Sequence, residues 1–111
     1  MSRNEIGRTV AKQVRATEIA FDRAIAEAGQ LITLMANGRI EARLSAVVGQ
    51  DALIGVTTAL STIAGARGSL VTAHGQLAQA ADSVNIPYQL AGPELKPDDD
   101  KPVGAILRVA A

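Results

Sequence analysis

Residues 52–81 read ALIGVTTALSTIAGARGSLVTAHGQLAQAA, and within them only Arg67 carries a formal charge at neutral pH. At about 100° per residue the stretch sorts into three helical stripes. Leu53, Val56, Leu60, Ile63, Arg67, Leu70, His74, Leu77 and Ala81 alternate at spacings of three and four. That alternation marks a coiled-coil-like seam between packed helices. Beside it run small residues, Thr57, Ser61, Ala64, Gly68, Val71, Gly75 and Ala78, which let two helix backbones approach closely. Opposite the apolar seam lies an uncharged polar stripe of Thr58, Thr62, Gly65, Ser69, Thr72, Gln76 and Gln79. A helix with so little charge and two adjacent packing seams belongs in the centre of an assembly.

Working outward, the same alternation continues back through Gly49, Ala46 and Ala42 and forward to Val84, so the spacing predicts a helical segment over 40–84. A glycine costs roughly 1 kcal/mol in a helix interior, and Asp51 can cap a new helix. A kink or short break is therefore expected at Gly49, Gln50 and Asp51. Residues 39–48 also alternate as a strand would, but the longer period running through them favours helix. Pro87 disfavours helical geometry at Ile86, which ends the segment by Asn85.

Upstream, the spacing predicts a first helix over 3–36. Ser2 and Glu5 have the S-x-x-E spacing of a capping box. Val10, Val14, Thr17, Phe21, Ala24, Ala28, Leu31 and Met35 then form a second seam, widened by Ile25 and Ile32. Asn37-Gly38 tolerates the left-handed conformation that ends helices, so the hairpin turn is expected there. The fold class that follows is all-α: a long antiparallel helical hairpin over 1–85. Residues 86–111 hold all four prolines and the run Asp98-Asp99-Asp100, and they read as an irregular tail. Its apolar end, 103–111, is suited to docking on the helices or to an edge strand.

The composition agrees with close helix packing. The chain has 111 residues, suited to one domain, and is 48% hydrophobic, yet Phe21 and Tyr88 are its only aromatics. Eleven basic and eleven acidic side chains cancel, so net charge draws it to neither nucleic acid nor an anionic membrane. The absence of cysteine excludes disulfides and thiol chemistry. The first residues lack the apolar core of a secretory signal, which makes a bacterial-type cytoplasm the expected location. Residues 44–66 are long enough to span a bilayer. They are rich in Thr and Ser, contain Asp51 and lack flanking aromatics, which favours a buried bundle helix instead.

With the turn at Asn37-Gly38, facing residues would have numbers summing to about 75. Phe21 would then lie near Ile54, and Arg67 near Arg8, with Glu5 as its nearest carboxylate. About ten residues, 74–84, would project beyond the first helix. That overhang and the second seam together call for a partner, and two hairpins side by side form a four-helix bundle. A symmetric homodimer is the commonest closed form. The expected interface comprises Val56, Leu60, Ile63, Ala64, Gly68, Leu70, Val71, Gly75 and Leu77. A tail folded back over the overhang is the competing arrangement.

Arg67 and His74 lie one heptad apart on the apolar seam. Together they could bind an anion or small ligand in the bundle; the plainer reading is a polar pair that fixes register. Arg8, Lys12 and Arg15, with Arg3 nearby, form a basic patch that opposes the dipole of the first helix. It suits phosphates or an acidic protein partner. The plainer reading is a solvated face balanced by Glu18, Asp22 and Glu27. No metal site is expected, since a single histidine without cysteine falls short of a structural zinc set. The acidic run lacks the alternating spacing of a calcium loop. The glycines lack the strand and Gly-Lys-Ser/Thr ending of a phosphate loop. No spacing suggests an activated nucleophile, so neither catalysis nor a cofactor is expected. The functional expectation is a non-catalytic homodimeric scaffold or adaptor. A ligand-binding bundle and a membrane-active hairpin are the alternatives.

Overall fold

A computed structural model of the chain describes residues 1–88. Two α-helices, α1 (Arg3–Ala42) and α2 (Gln50–Ser83), pack against each other, with no strand among the described residues. The expectations for the acidic run at 98–100 and the apolar end at 103–111 lie outside the described residues.

Helix α1 opens with the expected capping box. The Glu5 amide donates to Ser2 Oγ at 3.1 Å, and the Ser2 amide donates to Glu5 Oε2 at 2.7 Å. The expected turn at Asn37-Gly38 is not there: α1 runs through both residues to Ala42. Gly38 costs the helix only about 1 kcal/mol, while continuation keeps Met35 and Arg39 half-buried on the seam. The turn instead spans 43–49, between two left-handed residues, Arg43 at φ 53° and Gly49 at φ 77°. The anticipated break at residues 49–51 is thus the far edge of the hairpin turn, not a kink within a helix beginning at 40.

Both helices end in the same motif. At α1, the Leu44 amide reaches the Arg39 carbonyl and the Arg43 amide the Ile40 carbonyl. At α2, the Ile86 amide reaches the Ala81 carbonyl and the Asn85 amide the Asp82 carbonyl, with Asn85 left-handed at φ 58°. Asparagine is suited to that conformation. Arginine at the equivalent position in α1 is not, and sequence patterns give no reason to expect it there.

Moving the turn moves the register. Facing residues now sum to about 90, as Asp22 with Arg67 and Glu18 with His74 demonstrate. The expected pairings of Phe21 with Ile54 and Arg67 with Arg8 are displaced by about four helical turns. The projecting segment at 74–84 disappears as well, because Arg3 reaches the Val84 carbonyl. The overhang therefore gives no reason for a partner. On α2 the seam lies where the spacing put it: Leu53, Val56, Leu60, Ile63, Arg67, Leu70, His74 and Ala81 are half-buried. On α1 Val14, Thr17, Phe21, Ala24, Ala28 and Met35 face inward as expected, widened by Ile25 and Ile32, and Ala11 and Glu18 join them. Val10 and Leu31 stay exposed.

Among the described residues the contacts divide into two compact units: Met1–Arg15 with Ala78–Tyr88, and Ala16–Leu77. In the first unit Gly7, Ala11 and Val14 are buried. The chain after α2 lies directly on Gly7, so a Cβ there would collide with the Pro87 carbonyl and sit 2.8 Å from Ile86 Cγ2. Arg3 donates from Nη2 to the Val84 carbonyl. Helix α2 has no basic residue in its own last turn, so Arg3 supplies the cation that its C-terminal carbonyls favour. That gives one member of the basic cluster a structural purpose. In the second unit the seam residues of both helices are half-buried rather than sealed.

Two glycine substitutions should act in opposite directions. Gly7→Ala should lower stability by about 1–3 kcal/mol through overpacking against residues 86–87. Gly38→Ala, facing open space, should raise it by about 0.5–1 kcal/mol through helix propensity. Urea unfolding followed by circular dichroism measures both.

Candidate functional site

The polar residues singled out on the α2 seam both meet carboxylates from α1 inside the second unit. Arg67 Nε donates to Asp22 Oδ1 at 2.7 Å, with the side chains 39% and 56% exposed. His74 Nδ1 lies 3.0 Å from Glu18 Oε1, with the side chains only 16% and 13% exposed. A carboxylate can only accept, so the imidazole presents its Nδ1–H to Glu18. The carboxylate expected for Arg67 was Glu5, which instead closes the capping box of its own helix. The hydrogen bond and charge of Asp22 raise the Arg67 guanidinium above its ordinary pKa, keeping it cationic throughout the range in which proteins fold.

Glu18 and Asp22 had been read as part of a solvated, charge-balancing face. Asp22 is indeed exposed, but Glu18 occupies a seam position between Val14 and Phe21. The signal that could have identified it is the alternation Gly7, Ala11, Val14, Glu18, Phe21, Ile25, which places a carboxylate in phase with small and apolar residues. A seam of apolar and small residues takes Thr17 there and passes over the charged Glu18.

Of the basic cluster, Arg8 and Lys12 are exposed, whereas Arg15 is half-buried. At spacings of four and three residues they lie along one side of α1, with Arg15 the most covered of the three. No group of three His, Cys, Asp or Glu side chains converges as a metal site among the described residues. No described helix is long and apolar enough to cross a membrane.

The expected interface residues fall into two sets. Val56, Leu60, Ile63 and Leu70 are half-buried in the hairpin seam, and Leu77 is 38% exposed. Ala64, Gly68, Val71 and Gly75 are exposed, and the space beyond Gly65, Gly68 and Gly75 is open. The hydroxyls on this outer surface are turned onto their own backbone. Thr57 Oγ1 donates to the Ile54 carbonyl at 3.0 Å, and Thr62 Oγ1 to Thr58 at 3.0 Å. Ser69 Oγ donates to Gly65 and Thr72 Oγ1 to Gly68, each at 3.3 Å. The donors of these four are already satisfied, so covering them would strand no hydroxyl proton.

Double-mutant cycles should rank the two cross-helix pairs. The exposed Arg67–Asp22 pair should show coupling below about 1 kcal/mol, falling further in salt. The Glu18–His74 pair should couple by about 1–3 kcal/mol, because removing either partner leaves the other poorly solvated. Thermal unfolding of Asp22→Asn with Arg67→Gln, and Glu18→Gln with His74→Gln, reads the ranking.

In comparisons with protein families, curated proteins and solved structures, nothing matches this chain, so its function is argued from its own residues.

Proposed function

We propose that the protein is a non-catalytic homodimeric scaffold or adaptor in which two hairpins associate as a four-helix bundle in the cytoplasm. The observation that carries this reading is the uncovered outer surface of α2. Between Asp51 and Asp82 the helix has one charged side chain, and that one is engaged by Asp22. The space beyond Gly65, Gly68 and Gly75 is open, and the hydroxyl donors of Thr57, Thr62, Ser69 and Thr72 are internally bonded. Among the described apolar residues only Ala11 and Val14 are fully buried. Such thin internal burial leaves little to offset the ordering entropy of a chain this long. Burying exposed aliphatic surface against a second copy adds stabilisation at about 25 cal/mol per Å².

The ligand-binding alternative loses support from the same contacts. Arg67 and His74 are each committed to a carboxylate, and an anion would have to displace Asp22 or Glu18 to reach them. A membrane-active hairpin would act without a spanning helix among the described residues. Arg8 and Lys12, exposed on α1, are the residues available to an acidic protein partner of the scaffold.

Light scattering on the pure protein should give twice the mass of one chain at micromolar concentration. A single-chain mass under those conditions refutes the homodimer. Replacing Val71 by Asp on the open stripe should shift the dimer towards monomer without loss of helical signal.

A further inference from the structure

The geometry points to the hairpin tip as the place where two copies meet, with both tips at the same end of the dimer. This rests on the homodimer reading and adds its direction. The tip is inside-out for a turn. Loops ordinarily present polar side chains to solvent, but here Leu44, Val47 and Val48 face outward, Val47 at 80% exposure. Its backbone, by contrast, is largely paired. Arg39 Nη2 donates to the carbonyls of Ser45 at 3.0 Å and Ala46 at 2.6 Å. The amides of Arg43, Leu44, Val48 and Gln50 reach carbonyls within the turn or α1, and that of Val47 reaches Ser45 Oγ. A turn built this way loses little when water is removed.

The outward side chains continue onto α1 through Leu34, 69% exposed, and Leu31. Leu34, Met35, Leu44, Val48 and Leu53 line a cavity of about 250 Å³, wide enough for one aliphatic side chain. Five exposed aliphatic residues at on the order of 100 Å² each reach the upper range for a monomer's largest apolar patch. They supply more than half of the ~800 Å² that each partner gives a standard interface. In a two-fold arrangement, Val47 of each copy enters the cavity of the other, an isologous contact.

The charges of the tip favour a second copy over a bilayer. Arg39 and Arg43 are matched in number by Glu41 and Asp51. A tip of balanced sign has no net attraction to an anionic membrane surface, whereas mixed charges complement themselves across a two-fold axis. No aromatic residue anchors the tip as an interfacial belt would require.

The chain has no cysteine, so Ala46→Cys places a single spin label on the tip of the full-length protein. Electron–electron dipolar spectroscopy should give a label separation below about 25 Å in the dimer. Opposed hairpins would separate the labels by roughly the 50 Å length of α2, which overturns the tip contact and leaves the homodimer standing. A monomer by light scattering overturns both. Val47→Asp should weaken dimerisation at least tenfold with helical content unchanged, and an unchanged dissociation constant counts against the contact. Co-sedimentation with phosphatidylserine vesicles that depends on Val47 and dissolves the dimer assigns the tip to lipid and refutes the proposal.

Discussion

Sliding α2 along α1 by a single turn would part Glu18 from His74 and Asp22 from Arg67, and the rest of the hairpin depends on that not happening. Aliphatic and alanine side chains repeat along both seams with little to distinguish one turn from the next. Hydrophobic burial is non-directional, so it would accept several registers at similar free energy. The Glu18–His74 pair would not. A carboxylate or imidazole left half-buried without its partner costs about 1–3 kcal/mol, enough to outweigh the small differences between aliphatic registers, and the more exposed Arg67–Asp22 pair adds a smaller preference of the same sign. Specificity here comes from a few polar contacts laid into an otherwise permissive seam.

The same permissiveness explains what could be read from the residues and what could not. The α2 seam was legible from Leu53 to His74 because its apolar positions are large and their neighbours small, but its expected extensions through Ala42, Ala46, Gly49 and Val84 fall on exposed residues. Most of the α1 seam was legible too, with Thr17, Ala24, Ile25 and Ile32 half-buried beside Val14, Phe21, Ala28 and Met35. A preference for apolar residues admitted the exposed Val10 and Leu31 and passed over Glu18. The turn was misplaced for a related reason. Asn37-Gly38 has the composition of a helix end, but composition only lowers the cost of stopping. Arg43 adopts the left-handed conformation with no compositional signal at all, held there by the helix-terminating amides and by the grip of Arg39 on the turn carbonyls. One misplaced turn then propagated into every cross-helix pairing, including the carboxylate assigned to Arg67. Arg67 and His74 thus lie on the α2 seam as the spacing placed them, while the carboxylate beside Arg67 is Asp22 and not Glu5.

The two packing seams of α2 have met different fates. The first is used by α1 within the chain. The second is bordered by hydroxyls that have withdrawn their donors onto carbonyls three or four residues back, as Ser and Thr do on helices surrounded by apolar neighbours. A solvated helix of this length ordinarily carries charges on its outer face. The contrast with α1, whose exposed residues include Arg8, Lys12, Arg23 and Glu27, leaves α2 as the helix with the less charged outer face.

The beginning of the chain finishes both helices. Ser2 seals the first amides of α1, and the next residue, Arg3, covers the last carbonyl beyond α2. Two helix ends more than eighty positions apart in sequence are thus tied to neighbouring residues. A change at residue 2 or 3 that loosens one end is felt at the other, and with it by the segment resting on Gly7.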